Sequence, residues 1–150
     1  MKIFLMLSAM GLSAERPAPA VYTEAQAESG RTAYLSSCGK CHTSKLTGRK
    51  GEAGELPELS SLPEGMRKVV QSYGGKVPPL VGSGFMDKWS TTKDLAARIK
   101  EAVGGFPPAD LKDDTYLDLT AYVLQVSGAP AGAEALRPST MAELRSLWLR

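Results

Sequence analysis

Apolar residues recur at helical spacing in four stretches of the chain, separated by segments rich in Gly, Pro and charge. In LKDDTYLDLTAYVLQVSG, which begins at Leu111, the residues Tyr116, Thr120 (through its methyl) and Val123 run beside Leu117, Ala121 and Leu124. The pattern predicts a helix packed along one broad face, with Gly128 as its stop. In TTKDLAARIKEAV the expected buried face is Leu95, Ile99, Ala102 and Val103, and Thr91 or Thr92 can cap the first turn. Met66, Val69, Val70 and Tyr73 share one face of a shorter helix in PEGMRKVVQSYGG. Upstream, YTEAQAESGRTAYLSS opens with Thr23 and, three residues later, Gln26, the capping-box start of a helix running toward Ser37. Gly30 and Tyr34 lie four apart on that helix. A glycine there lets another helix come close, so Tyr122 of the last helix is the natural crossing partner. No internal repeat is present, and the expected architecture is a single all-α domain.

The first twenty residues break this pattern. Lys2 is followed by an apolar run from Ile3 to about Leu12 and then by small residues and proline, the form of a secretory signal peptide over residues 1–20. Cleavage fits after Ala18-Pro19-Ala20, or near Ser13 or Ala14. The run is well short of the ~20 residues a membrane helix needs, so the mature chain is expected to be exported to the periplasm without a membrane span. A length of 150 residues suits one compact domain with a tail. We expect the domain over residues 21–128, then APAGAEALRP as an irregular connector and an amphipathic tail with Leu144, Leu147 and Trp148, together 129–150. The formal charge is +2, and losing Lys2, Glu15 and Arg16 with the leader brings the balance close to neutral. Such a surface does not call for nucleic acid or an anionic membrane as a partner.

Candidate chemistry is concentrated in CGKCHTSKLTGRK, where both cysteines, Cys38 and Cys41, and the single histidine, His42, stand together. A structural zinc site needs about four protein ligands, and the chain offers two thiols and one imidazole. A redox dithiol expects a strand-then-helix context, whereas the preceding residues read as helix. A disulfide over so short a loop would staple little chain. The remaining reading is covalent haem attachment. Two thiols one helical turn apart add to the two vinyl groups of one porphyrin, and the adjacent imidazole then points at the iron.

With GRTAYLSSCGKCH, PPLVGSGFMDKW, DLAARIKEAV and TYLDLTAYVLQVSGAPAGAEAL, the sequence resembles the class I c-type cytochromes, and within them the cytochrome c domains associated with quinoprotein alcohol dehydrogenases. These blocks extend over most of residues 23–136. The resemblance implies an all-α class I cytochrome c fold, a small helical domain wrapped around one covalently attached haem c. It also implies that the carbonyl of Pro78, in a Pro-x-Leu stretch with Leu80, holds the ring nitrogen of His42 that faces away from the iron. Such a bond fixes the imidazole tautomer and makes it a better donor. Phe85 and Trp89 would pack around the porphyrin edge, or serve simply as core.

The chain departs from the family on the other side of the haem. The resemblance places a methionine ligand in a short loop before the last helix, and AVGGFPPADL has Phe106 there, whose ring cannot donate a lone pair to iron. Met86 or Met66 is then the distal candidate, although Met86 is expected near the histidine side and Met66 on a face that also suits core packing. Met141 belongs to the tail. The segment Thr43 to Val77 is longer than the family pattern, with a polar loop around GRKGEAGELPE that either covers the haem edge or is a solvated insertion. No catalytic acid, base or nucleophile constellation is evident, so the expected role is an exported mono-haem electron carrier rather than an enzyme. Its partner would be a redox protein such as a quinoprotein dehydrogenase or a terminal oxidase. The alternative is a haem domain with an open sixth position that binds CO, NO or peroxide, or an accessory subunit docked through the Trp148 tail.

Overall fold

A computed structural model describes residues 20–50, 60, 63–103 and 111–140. Among the described residues six α-helices follow one another: α1 (Glu24–Ser37), α2 (Gly39–His42), α3 (Glu64–Ser72), α4 (Ser83–Met86), α5 (Thr92–Val103) and α6 (Asp113–Val126). The chain is all-α; among the described residues the one β-type pairing is a single antiparallel bridge between Arg49 and Val77. Residues 1–19 of the expected leader, the loop residues 51–59, Phe106 and the tail from Met141 lie outside the described residues.

The two longest helices cross at Gly30. A Cβ there would sit 1.8 Å from the backbone oxygen of Asp118 on α6, so only glycine permits this approach. One turn further on, the rings of Tyr34 and Tyr122 meet at 5.3 Å, tilted by 52°. The face expected on α6 is broader than its periodicity suggested: Leu119 and Tyr122 are buried as well as Tyr116, Thr120, Ala121, Val123 and Leu124. The helix ends in a Schellman turn, with Gly128 N–H donating to Gln125 O and Ala129 N–H to Leu124 O, both at 3.0 Å.

Helix α5 starts on a true capping box. Thr91 Oγ1 accepts from Asp94 N–H at 3.1 Å and Asp94 Oδ2 accepts from Thr91 N–H at 2.9 Å. Its buried face is Thr92, Leu95 and Ala96, with Ile99 half-buried. Ala102, expected to be inside, is exposed. Lys100 pairs with Asp113, the first residue of α6, at 2.6 Å, so Ala102 lies past the end of the helix that would cover it.

The capping box expected at Thr23 forms only in half. Thr23 Oγ1 accepts from Gln26 N–H at 3.1 Å, but the Gln26 side chain turns away. Its Nε2 donates to Leu136 O at 3.0 Å and its Oε1 accepts from Leu136 N–H at 2.7 Å. This two-bond latch draws the irregular segment after α6 onto α1. Ala129 and Leu136 are buried in the core, Gly132 N–H donates to Tyr22 O at 2.7 Å, and the Tyr22 hydroxyl donates to Ala129 O.

Replacing Gly30 with alanine should push α1 and α6 apart and destabilise the protein by roughly 1–3 kcal/mol, the usual range for forcing atoms into packed space. A denaturant-unfolding midpoint unchanged from the parent would contradict the crossing described here.

Candidate functional site

Helix α1 feeds directly into the turn that carries the cysteines. Cys38 closes α1, its N–H donating to Tyr34 O at 2.7 Å, and its own carbonyl accepts from Cys41 N–H at 3.1 Å and His42 N–H at 2.9 Å. The two thiols therefore span one helical turn. Both are free and half-buried. Burial, and then the neighbouring Cys41, push the Cys38 thiol up to about 11. Burial also raises Cys41, against the pull of Arg49 and Lys40. A dithiol tuned for exchange has a thiol pushed down instead.

His42 follows on the same turn. Its Nδ1 lies 2.9 Å from the carbonyl oxygen of Pro78. A carbonyl only accepts, so Nδ1 carries the proton and Nε2 keeps its lone pair. Burial holds the imidazole below the ordinary histidine pKa, with the Pro78 bond pulling the other way. A neutral ring with a fixed tautomer and one free lone pair is what a metal-ligating histidine requires.

The His42–Pro78 distance depends on how two loop segments are joined. Arg49 and Val77 exchange both backbone bonds, at 2.8 and 3.0 Å, and Leu80 N–H donates to Leu46 O at 2.8 Å. Gly48 sits at the junction with φ +68°, and a Cβ there would meet Val77 O at 2.3 Å. The turn leading in is strained: Thr43 and Leu46 both have positive φ, at 66° and 60°, although Leu46 is wholly buried.

Five consecutive carbonyls, from residue 40 to residue 44, each receive a donor from outside the turn. Lys40 O accepts from Arg49 Nη2 at 2.9 Å and Cys41 O from Arg49 Nε at 3.0 Å. His42 O accepts from Gly48 N–H at 3.1 Å, Thr43 O from the Tyr34 hydroxyl at 2.7 Å, and Ser44 O from the Tyr122 hydroxyl at 3.3 Å. The last carbonyls of a helix lack internal partners, and here the rest of the fold provides them.

The remaining expected residues sort as follows. Leu80, Phe85 and Trp89 are half-buried against the core, with the Phe85 and Trp89 rings edge to face at 5.8 Å. The buried Trp89 Nε1–H has no hydrogen-bond partner among the described residues. An orphaned donor at a core margin is rare in a finished interior, and it fits a polar group of a cofactor bound there. Met86 is buried in the core cluster, Met66 is half-buried on α3, and Phe106 lies outside the described residues. The sequence pattern gave no sign of Arg49, Gly48 or the tyrosine hydroxyls. The dipeptide Gly48-Arg49 reads as part of a polar loop, and nothing local distinguishes a hydrogen-bonded clamp from a solvated turn.

Residues 25–123 match the family model described as cytochrome c oxidase, cbb3-type, subunit III. The chain belongs to this family of cytochrome c domains. The match runs from the first turn of α1 into the last turn of α6 and takes in the whole of α2 to α5. No curated protein and no solved structure matches the chain. As a cytochrome c domain it binds haem c covalently, with its iron, and belongs to electron transfer. The free thiols, the histidine with its available Nε2 and the orphaned Trp89 donor all fit that group.

Gly48→Ala should destabilise the holoprotein by about 1–3 kcal/mol, because it combines a positive φ with a backbone collision. Tyr34→Phe should cost about 1 kcal/mol through the bond lost from Thr43 O. Thermal melting of the two variants beside the parent checks both, and a parent-like melting temperature for Gly48→Ala would refute the junction.

Proposed function

We propose that the protein is an exported, mono-haem c-type cytochrome that carries single electrons between redox proteins. Cys38 and Cys41 would hold the porphyrin, His42 Nε2 would donate to its iron, and Pro78 keeps the imidazole oriented. Leu80, Phe85 and Trp89 shield one edge of the site from water. When bound, the haem supplies reversible one-electron chemistry at its iron, and the protein contributes positioning, burial and ligand choice. The observation that carries this reading is the 2.9 Å contact between His42 Nδ1 and Pro78 O, which leaves one ring nitrogen free to ligate beside two free thiols. The leader at residues 1–20 supports assembly in the periplasm. The family description supports a terminal oxidase as electron acceptor, and the resemblance to quinoprotein-associated domains supports a dehydrogenase as donor.

A second reading concerns the sixth position of the iron. Phe106 stands in place of the family's methionine, and Met86 is committed to the core cluster. Both favour a site that is open to a small ligand or closed by Met66 from α3.

The protein purified from the periplasmic fraction should contain one covalent haem per chain by its pyridine haemochrome and titrate as a one-electron couple. Absence of covalent haem would overturn the reading. Carbon monoxide added to the reduced protein addresses the sixth position. Ready binding, with no near-infrared methionine-to-iron band in the oxidised form, means an open site. Exclusion of CO, with a band that disappears in Met66→Leu, assigns Met66.

A further inference from the structure

We propose that Arg49 is the positioning residue that sets the hydrogen bond between His42 and Pro78, and through it the donor strength of the axial histidine. The proposal rests on the reading of His42 as the iron ligand.

Arg49 makes two connections and its neighbour Gly48 makes a third. The Arg49 guanidinium forks over two carbonyls of the haem-motif turn, Nε to Cys41 O and Nη2 to Lys40 O. Its peptide unit exchanges both backbone bonds with Val77, the residue before Pro78. The residue before it, Gly48, donates to His42 O and packs directly against the Val77 and Pro78 backbone. Arg49 thus ties the turn that carries the imidazole, through its side chain, to the segment that carries its acceptor, through its backbone. Without the guanidinium fork, the bridge to Val77 is no longer anchored to the Lys40 and Cys41 carbonyls, which leaves Gly48 N–H on His42 O and Leu80 N–H on Leu46 O as the remaining backbone ties.

Only arginine suits this place. A guanidinium presents several N–H groups in a rigid fork, is permanently charged, and makes hydrogen bonds roughly twice as strong as neutral ones. A lysine carries the same charge on a flexible stem and cannot reproduce the pair of bonds. That difference separates geometry from charge in the test. Loosening the Nδ1–H bond to Pro78 reduces electron donation by the imidazole and raises the reduction potential. Removing a nearby positive charge favours the oxidised iron and lowers it.

The experiment compares Arg49→Lys and Lys50→Gln with the parent, all haem-loaded. Solvent exchange of the His42 Nδ1–H is read by NMR in the reduced protein, under CO if CO binds. Arg49→Lys should speed that exchange about tenfold, the factor that loss of a charge-assisted bond supplies, and raise the potential. Lys50→Gln should leave the exchange unchanged and lower the potential. Parent-like exchange and potential in haem-loaded Arg49→Lys would overturn the proposal while leaving the cytochrome reading intact; absence of haem from the parent would overturn that reading instead. Should Arg49→Lys fail to yield holoprotein, the parent alone decides. Its Arg49 Nε–H should exchange about tenfold more slowly than that of Arg31, which is paired to the exposed Glu28, and equal rates would overturn the proposal.

Discussion

The close approach of α1 and α6 at Gly30 is the constraint from which the rest of the structure follows. With backbone touching backbone there, Tyr34 and Tyr122 are forced into ring contact one turn further on. Their hydroxyls emerge from the crossing at one place, directed at the carbonyls of Thr43 and Ser44. The crossing is thus both the centre of the core and the support of the turn that leaves the haem motif. Packing and site geometry are set by the same pair of residues.

Around that turn the backbone is bonded almost without interruption, and the donors come from distant parts of the chain. Residues 41–43 are half-buried, where a carbonyl without a partner is costly, so this arrangement disfavours alternative paths for the turn. A rigid surround suits electron transfer, in which the ligand field at the metal should change little between two charge states. The positive φ values at Thr43 and Leu46 belong to the same account. They are tolerated because Leu46 is buried and its carbonyl is bonded to Leu80.

Much of this was legible in the chain itself. The spacing of Cys38, Cys41 and His42 pointed to haem, and the matched family agrees. Gly30, Tyr34 and Tyr122 pointed to the crossing, because a glycine one turn from an aromatic leaves room for a second helix to approach, although periodicity alone suits two ordinary amphipathic helices equally. What escaped notice depends on tertiary contact. Gln26 looked like the second half of a capping box, yet its amide finds two backbone groups of Leu136, which local sequence cannot reveal. Arg49 looked like one more charge in a polar loop. Ala102 obeyed the helical period but lies beyond the end of its partner helix, and periodicity carries no information about where a neighbour stops. The helical turns α2 and α4 are four residues each, too short for any periodic signal.

The latch between Gln26 and Leu136, with Gly132 bonded to Tyr22, brings the chain's entry into the domain and its exit to one spot on the surface. Helix α1 carries the chain from there to Cys38 over about 20 Å, at roughly 1.5 Å per residue. A domain with this layout can be strung into a larger polypeptide, or fixed to a scaffold at either terminus, by a single pedestal. An attachment made there would hold the domain about 20 Å from the turn that carries Cys38 and leave that turn uncovered.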